Sequence, residues 1–158
     1  MNTIKTEQYI HDRWLVYRST AGIFDSPDRA EFSDVVPIRA VVPGSLFHSL
    51  DSNDLSCERV EDYDWWYVCT FETDDFALFS NSTLNLESLA TISEVWLNGT
   101  KLLSSNNMFL PVNVDTSNTL QENNTLYICF RSVNYFLQQK RPRPRWKTSL
   151  TNHQQLRW

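Results

Sequence analysis

Apolar and polar residues alternate with a period of two along much of this chain. In residues 65–71 the side chains of Trp65, Tyr67, Cys69 and Phe71 fall on one face, as they do in a half-buried β-strand. Similar alternation occurs in residues 83–87, 93–97 and 125–132, and weaker alternation in residues 14–17, 38–42, 101–104 and 109–114. Eight short strands separated by turn signals predict an all-β fold, an antiparallel jelly-roll sandwich.

The dipeptide Asn98-Gly99 is the sharpest turn signal in the sequence, and it separates two of the predicted strands. Both central residues of a type I′ turn have positive φ, which Asn and Gly tolerate best. We therefore expect residues 93–97 and 100–104 to form a β-hairpin.

Two tryptophans fall on the strand face opposite to the predicted core. Trp66 and Trp96 alternate with the core-facing Tyr67 and Leu97. Such rings can serve as platforms for the apolar face of a sugar, or they can pack under loops or a partner domain. Packing is the interpretation we favour, because the second face of a sandwich is often covered.

The length and composition indicate one folded domain. The chain has 158 residues, of which 41% are hydrophobic and 13% aromatic, and this excludes a disordered tail, a collagenous chain and a disulfide scaffold. No apolar run approaches the ~20 residues that span a bilayer, and the N-terminus lacks the apolar segment of a secretory signal. We expect no membrane partner.

The three cysteines, Cys57, Cys69 and Cys129, cannot all pair with one another, and their spacing matches no common zinc pattern. Two of them lie in predicted strands, where cysteine behaves as a small buried hydrophobe. Unpaired cysteines of this kind favour a reducing compartment, so the expected location is the cytoplasm.

Histidines and carboxylates form no catalytic or metal-binding pattern in the sequence. The histidines are widely separated, at His11, His48 and His153. The acidic residues cluster at Glu58, Glu61, Asp62 and Asp64, and again at Glu87 and Glu94. We expect these acidic stretches to be solvated surface, and we expect neither a metal nor a cofactor.

Several motifs in register carry a resemblance to a known family. Residues 84–99 read LNLESLATISEVWLNG, and the pattern continues through Asn107-Met108-Phe109, residues 112–115, Leu120 and residues 124–126. Residues 42–45 and 64–67 fit upstream, and residues 141–147 and 156–158 fit downstream. Over residues 40–158 the chain resembles the N-terminal sugar-binding domain of glycoside hydrolase family 2, in its β-mannosidase-like branch.

This resemblance implies a jelly-roll domain with a galactose-binding-like fold, expected to span residues 1–139, with residues 140–158 as its basic closing segment. In the family both catalytic glutamates lie on a separate (β/α) barrel, and a retaining glycosidase needs two carboxyl groups ~5–5.5 Å apart. The sequence ends before such a barrel could begin, so we expect no catalytic residue in it.

The loop around Asn106, Asn107, Met108 and Phe109 is a candidate part of the sugar cleft. The resemblance implies that this region approaches the mouth of the active site, and an amide offers both a donor and an acceptor to sugar hydroxyls. The alternative is that Asn106 and Asn107 only shape a turn while Met108 and Phe109 pack.

The C-terminal segment concentrates positive charge. Residues 1–122 carry a net charge of −12 and residues 123–158 carry +7, which together give the overall −5. In KRPRPRWK (140–147) we single out Arg143, Arg145 and Trp146, and the resemblance matches Trp158 to a substrate-contacting tryptophan. The segment could dock onto another domain or the active-site rim, remain solvated, or bind phosphates, and the acidic remainder of the chain opposes a nucleic-acid partner.

Three functional hypotheses follow. The first is a non-catalytic sugar-binding and scaffold domain that supports hydrolysis of a β-linked glycoside by a catalytic domain of the same protein. The alternative is a free-standing carbohydrate-binding module. The third, an anion or nucleic-acid binder, rests only on residues 140–147.

Overall fold

Strands arranged in two antiparallel sheets form the framework of the structure. The computed structural model describes residues 7–30, 32, 36–50, 59–73 and 81–138. Within them the strands are β1 (Leu15–Thr20), β2 (Ile38–Arg39), β3 (Tyr63–Glu72), β4 (Thr83–Leu86), β5 (Ser93–Leu97), β6 (Thr100–Ser105), β7 (Val112–Asp115) and β8 (Asn123–Phe130). The larger sheet has the order β2-β1-β3-β8-β5-β6, and β4 pairs with β7 in the smaller one. The prediction of an all-β antiparallel sandwich is confirmed.

Short helices lie between and after the strands of the described residues. They are α1 (Leu46–Ser49), α2 (Val133–Gln138) and two 3-10 turns at Pro27–Arg29 and Val60–Asp62. Helix α2, which the alternation did not predict, begins after Ser132, whose hydroxyl accepts a hydrogen bond from the Tyr135 amide at 3.0 Å and so caps the helix. No helix in the described part of the chain is long and apolar enough to cross a membrane.

The predicted hairpin is confirmed. Strands β5 and β6 pair in antiparallel fashion through a turn in which Asn98 has φ 51° and Gly99 has φ 80°. The Asn98 side chain also accepts a hydrogen bond from the Thr125 amide and donates to the Thr119 carbonyl, at 2.9 and 2.8 Å. These bonds fasten the hairpin to β8 and to the loop that precedes it.

Two predicted strands are shorter or shifted. The prediction of strand at 38–42 holds only for residues 38–39, because the Val41 amide bonds the Ser49 hydroxyl at 3.2 Å instead of a neighbouring strand. The prediction at 109–114 is wrong for its first residues, because the Asn107 side chain accepts from the Phe109 amide at 2.9 Å and holds a turn there. Strand β7 consequently starts at Val112.

The inner face of the larger sheet forms the main core. Its buried side chains are those that the period of two placed together, with partly buried leucines from β4 packed against them. The members of this inner cluster on β3, β5 and β8 are Trp65, Tyr67, Cys69, Val95, Leu97, Leu126 and Ile128.

The outer face of the same sheet is also covered. Trp66 and Trp96 are 0% and 2% exposed, and their rings stack with centroids 5.4 Å apart. Cys129 is buried beside them, and Phe24 and Phe32 pack over them from the segment that follows β1. The prediction that these tryptophans pack rather than stand exposed is confirmed, as is the burial of Cys69 and Cys129. Cys57 lies outside the described residues.

Candidate functional site

A pocket of about 460 Å³ opens at one end of the outer face. Because the sheet is antiparallel, β1, β6 and β8 end at the edge where β3 and β5 begin, and the segments there meet around this space. Its polar lining is Asp25, Asp64, Ser93, Glu94, Ser104, Ser105, Asn106, Arg131 and Ser132, and its aromatic lining is Phe24, Tyr135 and Phe136. A loop-bordered depression with convergent polar groups is the usual form of a ligand site.

Asp64 forms the floor of the network beside the pocket. Its side chain is 1% exposed and accepts three hydrogen bonds, from the Gly22 amide at 3.0 Å, the Ser132 amide at 2.7 Å and Arg131 Nη1 at 2.9 Å. One carboxylate thereby ties the segment after β1 to the start of α2. The expectation that Asp64 belongs to a solvated acidic loop is wrong, because β3 already begins at Tyr63 and carries Asp64 onto the covered face.

Arg131 connects Asp64 to a second carboxylate. Its Nη1 also donates to the Phe24 carbonyl at 2.7 Å, its Nε donates to Glu94 at 2.6 Å, and its Nη2 pairs with the same Glu94 oxygen. The other Glu94 oxygen pairs with Lys101 on the edge strand β6. Two cations and two anions therefore compensate each other, and the expectation of a solvated Glu94 is wrong. Glu87, by contrast, is exposed as expected.

The cations of this network lie over the buried tryptophans. The Arg131 guanidinium is 5.2 Å from the centroid of the Trp66 ring, and Lys101 Nζ is 5.4 Å from that of Trp96. Cation–π contacts of this geometry stabilise both partners. The charged network thus covers the tryptophan pair from the solvent side.

The protonation of Glu94 follows from its partners. Burial by itself would raise the pKa of Glu94, but the hydrogen bonds from Lys101 and Arg131 outweigh it, and the pKa is lowered from its usual value. Glu94 is therefore held as a carboxylate near neutral pH.

An aromatic ring forms another wall of the pocket. Gly22 has φ +70°, and a Cβ built there would lie 2.7 Å from Tyr135 Cζ. The ring of Tyr135 therefore rests directly on the Gly22 backbone, which only glycine permits, while 48% of the residue stays exposed.

The candidate loop from the sequence borders this pocket at one residue. Asn106 lines it, whereas the Asn107 side chain accepts a hydrogen bond from the Phe109 amide within the turn. The Met108 carbonyl accepts from the Ser88 hydroxyl at 2.8 Å. Phe109 does not pack; it is 82% exposed, and the neighbouring Leu110 is 61% exposed.

The remaining candidates lie outside the described residues. These are Arg143, Arg145, Trp146 and Trp158, together with the rest of the segment 140–158. In the part of the chain that the structure describes, no group of three or more His, Cys, Asp or Glu side chains is placed to hold a metal ion. Burial raises the pKa of the thiols of Cys69 and Cys129, which disfavours the thiolate.

Asp64, Glu94, Arg131 and Tyr135 were not predicted as site residues. For three of them the alternation held a usable signal, because Asp64, Glu94 and Arg131 share the face of Trp66, Trp96 and Cys129. If that face is covered, charged residues on it must be paired. Tyr135 lies on α2, for which the period of two gives no information.

The fold and the pocket together define a class of molecule: an antiparallel β-sandwich module with a polar, aromatic-walled depression at one end of its larger sheet. The sequence model of the family described as glycosyl hydrolase 2 galactose-binding domain-like matches residues 45–158. This chain belongs to that family, and the resemblance to its β-mannosidase-like branch is confirmed by the relatives that follow.

Three relatives illustrate the match. Beta-mannosidase B of Thermothelomyces thermophilus is 33% identical over 85 residues, which are 53% of this chain and 10% of that protein. The crystal structure of a beta-D-mannosidase from Dictyoglomus thermophilum aligns with TM-score 0.60 and 25% identity over 80% of this chain and 16% of the other. A b-glucuronidase from Ruminococcus gnavus, 20% identical, aligns with TM-score 0.59 over 84% of this chain and 24% of its own, and shows the shared fold. The chain spans about a tenth of the length of the curated relatives it matches.

Proposed function

We propose that this chain is a non-catalytic sugar-binding and scaffold domain of a β-mannosidase-like family 2 glycoside hydrolase. In this proposal it supports the hydrolysis of a β-linked glycoside, while a catalytic domain of the same protein breaks the bond. The family membership and the mannosidase relatives support the assignment.

The chemistry of the pocket carboxylates is the observation that carries the non-catalytic part. A glycosidase acid must hold a proton near neutral pH, which requires a raised pKa. The pKa of Glu94 is lowered, and Asp64 is buried with both oxygens already accepting hydrogen bonds. Asp25 is exposed and lies 3.5 Å from Arg29. Glu94 therefore lacks the raised pKa of a general acid, and the carboxylates of Asp64 and Asp25 are already engaged by hydrogen bonds and an ion pair.

The test is turnover by the purified 158-residue chain. We expect no sustained release of nitrophenol from 4-nitrophenyl β-D-mannoside, β-D-glucoside or β-D-galactoside. Release that rises with protein concentration and disappears in Glu94→Gln would overturn the proposal. The Glu87→Gln variant, which alters an exposed carboxylate, is the matched control.

We propose the exposed loop as the contact with the catalytic domain. Phe109 and Leu110 are large, apolar and mostly exposed, and the bonds to Asn107 and Met108 fix the backbone that presents them. Exposed apolar patches of this kind mark interaction sites. Residues 140–158, which the family match includes, are proposed as the closing segment of the same domain.

A free-standing carbohydrate-binding module is the second candidate, and the same pocket supports it. The two candidates differ in the affinity they need. A subsite beside a catalytic domain in one polypeptide meets its substrate at an effective concentration near the millimolar range, so a millimolar Kd suffices. Calorimetry with manno-oligosaccharides that yields a Kd below about 0.1 mM would favour the free-standing module.

Cytoplasmic location is likewise proposed. It is supported by the burial of Cys69 and Cys129, neither of which forms a disulfide. Fractionation of cells that express the chain is the test, and recovery of the chain outside the cytoplasm would contradict the proposal.

A further inference from the structure

We propose that the pocket beside Arg131 binds an uncharged glycosyl unit, with Tyr135 as its stacking surface and Asn106 and Ser104 as its hydrogen-bonding groups. This inference rests on the proposed sugar-binding function and names the ligand class and the residues. The walls of this pocket come from strands β3, β5 and β6, from the segment after β1, and from α2 with the two residues that precede it.

The size and walls of the pocket suit a sugar. At about 460 Å³ it lies within the ~300–1,000 Å³ typical of small-molecule sites. Its lining combines aromatic rings with hydroxyl, amide and charged groups, and a sugar presents both an apolar C–H face and a rim of hydroxyls.

Some polar groups of the lining already have hydrogen-bond partners within the protein, and others do not. The oxygens of Asp64 and Glu94 are occupied by the network described above. The side chains of Asn106 and Ser104 make no hydrogen bond to any residue that the structure describes. Ser104 is paired with Glu94 across β5 and β6, which places its hydroxyl on the outer face beside the network.

Asn106 is well suited to this role, since its exposed amide carries two donors and one acceptor oxygen. It follows the end of β6 directly. The position of Asn106 is therefore set by strand β6, which the Glu94–Lys101 pair ties to the neighbouring strand β5.

Tyr135 supplies a rigid stacking surface. Its ring is braced against Gly22, its amide is bonded to Ser132, and its residue surface is 48% exposed. A ring held in place before binding loses little entropy when a ligand stacks on it. Tyr135 can therefore contribute to affinity without rearrangement.

The charges of the lining select against anionic sugars. The carboxylates of Asp25, Asp64 and Glu94 border the pocket, and Arg131 is its cation. Arg131 already serves two carboxylates and one carbonyl. A uronate would meet carboxylates without a free counter-charge, and specificity commonly arises from such an unfavourable juxtaposition.

The experiment is a titration of the ¹⁵N-labelled 158-residue chain, followed by amide chemical shifts, with methyl β-D-mannopyranoside and, separately, methyl β-D-glucuronide. We expect saturable shifts at Ser104, Asn106 and Tyr135 with the neutral glycoside and at least tenfold weaker binding of the glucuronide. The variants Asn106→Ala and Tyr135→Ala should each weaken binding of the neutral glycoside about tenfold. Asn113→Ala, an exposed residue of the smaller sheet, should leave the Kd unchanged.

The inference is overturned if the neutral glycoside causes no saturable shifts, if the shifts lie elsewhere, or if the glucuronide binds as tightly. It also fails if Asn106→Ala, which alters only an exposed side chain, leaves the Kd unchanged. The two failures are separable: a chain that binds no neutral glycoside at this pocket and shows no turnover refutes the inference and leaves the non-catalytic scaffold role, whereas turnover refutes the non-catalytic assignment.

Discussion

The two faces of the larger sheet are built from alternate residues of the same strands, yet they are stabilised differently. On the inner face, residues such as Leu97, Leu126 and Val95 pack against apolar side chains from the smaller sheet. On the outer face, Trp66 and Trp96 stack on each other and are covered by the Arg131 and Lys101 cations. The inner face needs only apolar burial, whereas the outer face also needs a closed set of ion pairs.

This difference determines which face of the sheet carries the functional surface. A purely apolar face offers a ligand no directional contact, whereas a network of charged groups at the strand ends leaves polar neighbours such as Ser104 and Asn106 facing solvent. The charged groups of the network already pair with one another. The network therefore supports the pocket walls, and the neighbouring side chains of Ser104 and Asn106 are the ones that contact the ligand.

Trp66→Ala should have the largest effect, because it tests whether the outer face is a true core. The residue is fully buried, so we expect a loss of about 4 kcal/mol of unfolding free energy, measured by urea denaturation. Leu97→Ala is the inner-face control and should cost about 3 kcal/mol. A loss below about 1 kcal/mol for Trp66→Ala would mean that the outer face is effectively a solvated surface.

Asp64→Asn should come next, because it removes charge while keeping shape. Three donors point at this carboxylate, and an amide would place its own donor against one of them. We expect a loss of about 3 kcal/mol in the same measurement, as for a broken buried ion pair. The exposed Asp12→Asn variant is the control, and equal small losses in both would show that the network contributes nothing.

Gly22→Ala tests the junction between the outer face and Tyr135. Positive φ costs a residue with a Cβ about 1–2 kcal/mol, and the contact with Tyr135 Cζ adds to it, so we expect a loss of about 2 kcal/mol. Gly99→Ala, whose Cβ would meet Asp28 at a less severe 3.3 Å, should cost less. In a Tyr135→Ala background the Gly22→Ala penalty should fall toward that of Gly99→Ala, and an unchanged penalty would contradict the assigned contact.

The pH dependence of Glu94 is the smallest expected effect. Because its pKa is lowered in the folded state, its stabilisation is fully present above the unfolded-state pKa of about 4.3 and is lost as the pH falls through the folded-state pKa. Glu94→Gln should therefore cost about 1 kcal/mol near pH 6, and the gap from the wild type should close in acid. A gap that widens as the pH falls would give the opposite sign and reject the network.

The sequence predicted the inner face well because its signal is local. Period-two alternation in residues 65–71 and the Asn98-Gly99 turn require no knowledge of distant residues, and both are confirmed. The pairing of Asp64 with Arg131 joins residues 67 positions apart, and alternation specifies only the face of each, not its partner. Helix α2 and its Tyr135 were missed because period-two alternation gives no signal for a helix, although the Ser132 cap is itself a local bond to the Tyr135 amide.

The pocket carboxylates, in this interpretation, stabilise the structure and do not transfer protons. The most direct measurement is the pKa of Glu94 in the folded chain, read from the side-chain carboxyl ¹³C shift as a function of pH and assigned with Glu94→Gln. We expect a pKa below the usual value for glutamate, because Lys101 and Arg131 donate hydrogen bonds to the carboxylate. A pKa raised to about 6, the range of a glycosidase general acid, would contradict it.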